Sequence, residues 1–450
     1  MKELFNPKSI AVIGASANPQ KFGYVILKNI IDFDFKGKIY PISPRYKDIF
    51  GIKCFPSVLD VKDKIDTAVV VTPFDISNKV IAGCVKKKIP YAIIITAGYK
   101  EIGGDGIKRE EELKKILKNS KTRVIGPNCI GIFDNYGKID TLFLPKYKIT
   151  KPNAGSISII SQSGAVGLSL IDVAACRKIN IARFASFGNN IDIGAVDLLK
   201  YMADDPKTKV ILMYIEGIDK GRELYEVVKS TTKKKPVIIY KAGKSDKGKN
   251  AAASHTGNLA GSYKIFHSAM KQAGAIEAMS LDQMFDFAMI LEQYGHLKKK
   301  INNLAIITDG GGFGVMTTDS ISKKGIELPD FEKKTIEKIR TVMPPYATIN
   351  NPMDLIGDAD TNRYAVSIYS IIEDKNIDAI IIILLLQISS LSPDIVDIIA
   401  NEKRKTKKPI IVIAMGDKYA KVLIDTLKEE GVPVFPSPSR AANALSCLNH

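Results

Sequence analysis

The chain has 450 residues, of which 45% are hydrophobic and 25% charged. This is the balance of an ordinary globular protein, and the length suits about three domains, each burying its own core. The net charge is +17, but the lysines are spread over the whole chain in runs no longer than three, without a tryptophan or an interleaved aromatic platform. That pattern speaks against nucleic acid and for a basic surface that attracts small anionic ligands.

The N-terminus, "MKELFNPKSIAVIGAS", has no signal-peptide core before its first strand. In the first domain, strands are predicted at "SIAVIGA", "KIYPIS", "TAVVVTP", "YAIIITAG" and "TRVIGPN". Helical stretches separate them: "FGYVILKNIIDF", "DISNKVIAGCVKKK" and "REEELKKILKNS". Strands alternating with helices predict an α/β fold with a doubly wound parallel sheet and right-handed crossovers.

Two further segments open like the first. "SISIISQSGAVG" begins at Ser156 and "LAIITDGGGFGV" at Leu304, each a β-branched strand followed by a Gly/Ser-rich turn and a helical pattern. The second domain continues with "KVILMYIEG" and "PVIIYKAG", and the third with "AIIIILLLQ" and "PIIVIAMG". The apolar run from Ala379 to Leu386 is far short of the ~20 residues that span a bilayer and reads as a buried parallel strand, so no membrane is expected. Polar linkers at 145–155 and 295–303 divide the chain into domains at 1–146, 150–296 and 300–450. The cysteines at 54, 84, 129, 176 and 447 form no C-x-x-C pair, which argues against a zinc site or disulfide framework and for the cytoplasm.

In open parallel sheets, ligands gather at the carboxyl ends of the strands. The first domain places Gly14, Ala15 and Ser16 there, followed by Pro44 and Arg45, Thr72 and Pro73, Thr96 to Gly98, and Pro127 with Asn128. These small, backbone-exposing residues suit a long nucleotide-like ligand. The first turn reads G-A-S-A-N-P-Q-K-F-G rather than G-x-G-x-x-G, and no acidic residue closes the second strand. Both features speak against NAD. The second domain offers Ser163 and Gly164 at the start of a helix, a plausible phosphate cradle, and Glu216 at the end of a strand.

It also offers "KGKNAAASHTGN" (247–258), where one of only four histidines, His255, stands among small residues and glycines. Packing does not hold a side chain in such a loop, so the histidine is either incidental or meant to move. The preceding "GKSDKGKN" imitates a P-loop, but its last residue, Asn250, lacks the hydroxyl that ligates magnesium. No metal site is expected in this chain. A carboxylate that accepts from Nδ1 of an imidazole leaves Nε2 as the nucleophile. His255, Glu216 and a phosphate cradle on one domain therefore point to a phosphohistidine. His267 falls inside an amphipathic helix, and His296 and His450 lie at a linker and at the terminus.

Taken together, "KGKNAAASHTG", "YIEG", "SQSGAVG", "IGPNCIG", "NNPMDL" and "TDGGGFGV" resemble the alpha subunit of ADP-forming acetyl-CoA synthetases (acetate–CoA ligase, ADP-forming), within the succinyl-CoA synthetase superfamily. The likeness covers essentially the whole chain. It implies a Rossmann-like CoA-binding domain followed by two flavodoxin-like ligase domains. It also implies that His255 is phosphorylated and stabilised by Glu216, and that Ser163 and Gly164 hold phosphate. Gly14, Ser16, Lys21, Gly23, Arg45, Pro73, Thr96 and Asn128 would line the CoA site.

The implied reaction converts acyl-CoA, ADP and phosphate to acid, CoA and ATP through an acyl phosphate and a phosphohistidine. Acetyl-CoA or another small acyl-CoA would be the substrate. Succinyl relatives have a tyrosine in the first turn after their serine-glycine motif, where this chain has Leu168, which favours a smaller or more apolar acid. The Mg-ADP site is expected on an ATP-grasp beta subunit, in an α2β2 heterotetramer, and the loop at 244–258 is expected to be exposed and mobile. Two rival readings are a non-catalytic, CoA-sensing or acyltransferase-associated scaffold, against which His255 and Glu216 speak, and an NAD-dependent dehydrogenase, against which the first turn speaks.

Overall fold

The computed structural model describes residues 1–249, 262–297 and 299–450. His255 and most of its loop lie outside the described residues. The chain forms two compact units, 1–284 and 285–450. Each β-branched run predicted as a strand is one, and most central strands are buried along their whole length, as expected of parallel strands covered on both faces.

The first sheet is formed by β1 (Ser9–Ile13), β2 (Lys38–Ile42), β5 (Thr67–Val70), β6 (Tyr91–Ile94) and β7 (Arg123–Ile125), after the small antiparallel pair β3 (Asp48–Ile49) and β4 (Ile52–Lys53). Its order is β2-β1-β5-β6-β7, and every pairing is parallel. The strand order reverses at β1, so β1 and β5 flank the switch point at which a ligand crevice opens.

The second sheet contains a hairpin that the sequence reading does not include. β8 (Ile132–Asp134) and β9 (Ile139–Asp140) come from the stretch expected to close the first domain. They join β10 (Ala154–Ser161), β11 (Ile181–Ser186), β12 (Val210–Ile215), β13 (Val237–Lys241) and β14 (Ile276–Glu277) in the order β14-β13-β12-β10-β11-β8-β9. β8 runs antiparallel to β11, with Phe133 opposite Phe184. The hairpin turn is made by Asp134, whose Oδ1 accepts from the Tyr136 and Gly137 amides at 2.8 Å each.

In return, residues 189–193 of the second sheet's connection run beside β7. Asn189 N donates to Pro127 O at 3.0 Å, and Ile193 N to Val124 O at 2.9 Å. The two sheets interlock and share one core, in which Ile10, Ile93 and Ile125 belong to the same cluster as Ile160, Phe187 and Ile211. The linker expected at 145–155 is cut short, because β10 already begins at Ala154.

The second unit holds a third parallel sheet with its own core. β15 (Leu304–Thr308), β16 (Met353–Asp354), β17 (Ala379–Leu384), β18 (Ile410–Ala414) and β19 (Val434–Phe435) lie in the order β16-β15-β17-β18-β19. This is the flavodoxin-like order.

The interlock in the first unit is held by a buried charge cluster. Arg183 on β11 faces Asp134 of the hairpin, 2.7 Å from its Nε, and also pairs with Asp205. Arg183→Met would leave two buried carboxylates without their cation. It should lower the stability of the first unit by about 3–5 kcal/mol, seen as a lower urea midpoint by circular dichroism.

Candidate functional site

A cleft of about 1280 Å³ opens over the carboxyl ends of β1, β2, β5 and β6. Its floor is the turn after β1. Gly14 has φ +93°, and a side-chain carbon there would lie 2.4 Å from Val71 O. A carbon on Gly23 would meet Gly14 O at 1.9 Å, so the helix Phe22–Asp32 approaches the turn closely only because Gly23 lacks a Cβ. That helix has Lys21 at its N-cap, no side-chain cap and no acidic residue in its first turn. The helix Phe74–Lys86, after Pro73, also starts without a side-chain cap. Such helix starts present backbone N–H groups and positive dipole ends to an anion.

Ser16, Lys21, Arg45, Pro73, Thr96 and Asn128 line the same cleft with Gly14 and Gly23. Lys21 and Arg45 are exposed there with Lys79, giving the mouth a positive rim. Thr96 Oγ1 donates to Thr72 O at 2.8 Å, while Thr72 Oγ1 is buried without a partner in the cleft wall, leaving it open to a bound molecule. Asn128 follows Pro127 with φ +57°. Its Nδ2 lies 3.4 Å from Asn189 Oδ1, and Asn189 Nδ2 in turn donates to Glu101 at 2.6 Å and Glu110 at 3.1 Å.

Beyond Asn128, the cleft reaches the second sheet. Ser163, Gly164 and Glu216 line it as well. Ser163 caps the helix Gly164–Cys176, its hydroxyl accepting from Val166 N at 3.4 Å, and no acidic residue stands in that first turn. Glu216 is buried at the end of β12.

Two backbone amides there, Glu216 N and Gly217 N, donate to Gln162 Oε1 at 2.8 and 2.9 Å. Lys241 Nζ donates to Glu216 O at 2.6 Å. Burial lowers the pKa of that ammonium against the pull of the Glu216 charge. Tyr214, two residues earlier on β12, is hydrogen-bonded to the Glu216 side chain. Burial first, then that charge and bond, push its hydroxyl well above the ordinary tyrosine value. Cys129, also in the cleft, is pushed up to about 12 by burial, so its thiol stays protonated and is no nucleophile near neutral pH.

Of the twelve residues given a site role by the family resemblance, eleven share one cleft, and the twelfth, His255, lies outside the described residues. Gln162 and Asn189 were missed as site residues, although Gln162 stands inside the "SQSGAVG" turn and Asn189 beside Gly188. The missing signal was burial, since a polar side chain in such a turn is usually solvated. Among the described residues no group of three or more His, Cys, Asp or Glu could hold a metal ion, and no helix is long and apolar enough to cross a membrane.

Fold and cleft together define a CoA ligase of the succinyl-CoA ligase type. Residues 8–135 match the family model of a CoA binding domain, 154–291 that of a succinyl-CoA ligase like flavodoxin domain, and 304–447 that of a ligase-CoA domain. The alpha subunit of ADP-forming acetate–CoA ligase I from Pyrococcus furiosus is 39% identical, over 100% of this chain and 97% of its own length. The ADP-forming acetate–CoA ligase of Methanocaldococcus jannaschii is 40% identical, and there the alignment takes in 63% of the longer relative. Among solved structures, acetyl-coenzyme A synthetase 1 of Ca. Korarchaeum cryptofilum, in complex with phosphate and ADP, matches with a TM-score of 0.91 at 36% identity, covering 100% of this chain and 96% of that one. The chain belongs to the alpha-subunit family of the ADP-forming acetate–CoA ligases, which are acid–CoA ligases. An alpha subunit implies a partner subunit.

Gln162 is the support on which the Glu216 corner rests. Gln162→Leu should leave the Glu216 and Gly217 amides buried without an acceptor and cost about 1–3 kcal/mol. A urea titration of the variant beside the wild type measures it.

Proposed function

We propose that this chain carries the acyl-CoA and phosphoryl-carrier half of an ADP-forming acyl-CoA synthetase, acting on acetyl-CoA or another small acyl-CoA in the cytoplasm. The observation that carries the reading is the continuity of the cleft, from Gly14 and Lys21 at the first sheet to Ser163 and Glu216 at the second. A CoA nucleotide held at the β1 turn and the cationic rim directs its thioester toward Asn128 and the start of the helix Gly164–Cys176. There the first-turn amides hold inorganic phosphate. A phosphate oxygen adds to the thioester carbonyl, the C–S bond breaks, and CoA leaves as the thiol once protonated. The product is an acyl phosphate.

His255 Nε2 then takes the phosphoryl group, breaking the P–O bond to the acid and releasing the carboxylate. Glu216 steadies the imidazolium that forms by accepting from Nδ1. The phosphohistidine passes its phosphoryl group to ADP, giving ATP and the free imidazole. In this reading the segment around 244–258 makes that journey. Its histidine lies outside the described residues, and at its start 246–249 form a helical turn.

The nucleotide step needs Mg-ADP, and we assign that site to an ATP-grasp beta subunit in an α2β2 assembly. Relatives named as alpha subunits match this chain nearly end to end, while the Methanocaldococcus relative is longer. Both facts support a nucleotide half supplied by a second chain or by fusion. The family matches at 8–135, 154–291 and 304–447 support three domains near 1–146, 150–296 and 300–450, with the β8–β9 hairpin lent by the first to the sheet of the second.

The test is to incubate the chain with acetyl-CoA and labelled phosphate and look for an acid-labile, base-stable label on His255. His255→Ala should abolish both the label and ATP formation with the partner, while CoA binding stays within about twofold, because the imidazole acts only in phosphoryl transfer. Substantial overall activity in that variant overturns the mechanism. Glu216→Gln should stay folded and lower the steady-state label, measured by quantitative phosphohistidine blotting. Calorimetry should show CoA binding at micromolar Kd or tighter, about −8 kcal/mol, and no NAD binding.

A further inference from the structure

The turn at Gly188 and Asn189 lies directly on the turn after β7. A side-chain carbon on Gly188, at φ +54°, would stand 2.3 Å from Pro127 O and 2.4 Å from Asn128 O, so only glycine allows this approach. Asn189 N then donates to Pro127 O at 3.0 Å. The Asn189 side chain is buried, with Asn128 on one side and two carboxylates on the other. Its Nδ2 donates to Glu101 Oε2 at 2.6 Å and to Glu110 Oε2 at 3.1 Å, and its Oδ1 lies 3.4 Å from Asn128 Nδ2. Glu101 is itself fixed, because its Oε1 accepts from Gly98 N at 2.6 Å and Tyr99 N at 3.1 Å in the turn after β6. Lys114 Nζ stands 3.3 Å from Glu110 Oε1.

These contacts decide which way two amides face. Carboxylate and amide oxygens both accept, so a flipped Asn189 would set its Oδ1 against both glutamates. Both N–H groups of Asn189 are therefore spent on Glu101 and Glu110, and only its oxygen is left for Asn128. By the same rule Asn128 turns its Nδ2 to that oxygen. Asn128 Oδ1 is left without a partner among the described residues, on a half-buried residue of the cleft lining. Hydrogen bonds in a chain polarise one another, so two carboxylates at one end make the oxygen at the other a stronger acceptor. It suits a ligand that donates.

We propose that Asn189 is a positioning residue for CoA, holding the Asn128 carboxamide so that its Oδ1 accepts the N–H of the pantetheine amide nearer the sulfur. The inference rests on the reading of the cleft as the CoA site, with the thioester end at Asn128. In a pantetheine arm the two secondary amides carry the N–H donors, and the one nearer the sulfur lies next to the reacting bond. A hydrogen bond there holds the thioester at the Asn128 end of the cleft. Glu101 and Glu110 do not line the cleft and act through Asn189.

The experiment measures, by calorimetry on the full chain, the binding of CoA and of a CoA analogue with a methylene in place of that N–H. Wild type should bind the analogue about fivefold more weakly than CoA, the scale of one neutral hydrogen bond. Asn189→Leu, which cannot hold Asn128, should bind CoA about fivefold more weakly than wild type does. Its affinity for the analogue should stay within about twofold of wild type, because that contact is already gone. Asn189→Ala leaves room for water beside the glutamates, should show the same split, and serves where Asn189→Leu folds poorly. Thermal midpoints are read on every variant.

Equal weakening of both probes in the Asn189 variants means that Asn189 serves only the fold, and overturns the proposal. So does a wild-type chain that does not distinguish the probes, or wild-type CoA affinity in the variants. Each of these leaves the CoA reading of the cleft standing. A wild-type chain that binds no CoA overturns that reading, and this inference with it.

Discussion

The first unit depends on an exchange of backbone between two sheets. The hairpin Ile132–Asp140 leaves the first sheet's stretch of sequence to pair with β11, and residues 189–193 return to run beside β7. Arg183, buried between Asp134 and Asp205, ties the exchange at its centre. A buried cation with two carboxylates adds little net stability, but it tolerates no change of register, because any shift would strand a charge in the interior. The turn at Pro127–Ile130 is thereby held against the start of the helix Gly164–Cys176, and both line one cleft.

That geometry bears on chemistry. Two helix starts lie at the first sheet and one at the second, and none carries an acid that would compete at the front of its cleft apart from Asp75 after Pro73. A long anionic ligand with its reactive end at Asn128 meets the third helix start, then Glu216. The carboxylate is held from behind: Gln162 takes the backbone amides, Lys241 the carbonyl and Tyr214 the side chain. These supports fix the corner at the end of β12 on which the carboxylate stands. In the proposed reaction the acid is released at one site and ATP made at another, so the phosphoryl group has to be moved, and a histidine flanked by small residues can move it.

Much of this was legible in the chain. Strands such as "SIAVI" and "AIIIIL" declare themselves, because a fully apolar β-branched run of that length has few other folded fates. The turns after them follow from their glycines: Gly14 makes the turn after β1, and Gly23, named through the family resemblance, stands against it. The short strands β14, β16 and β19, of two residues each, carry no period to read and exist only because a neighbouring strand offers its edge. The hairpin was missed for a related reason. "GIFDNYGKID" has a turn signal, but its place in the chain assigned it to the first domain, and nothing local says that it pairs with a strand about fifty residues later.

Local chemistry therefore determined the class of fold, the strand ends where ligands gather, and the residue types that face an anion, since these follow from side-chain periodicity and backbone freedom. Tertiary structure alone decided what is near what. It put residues from two sheets into one cleft, made Gln162 the acceptor for the Glu216 corner, and brought Asn128 and Glu101 together on Asn189. Such contacts join residues far apart in sequence, and their energies arise from burial and closed hydrogen bonds, which do not exist until the chain has folded.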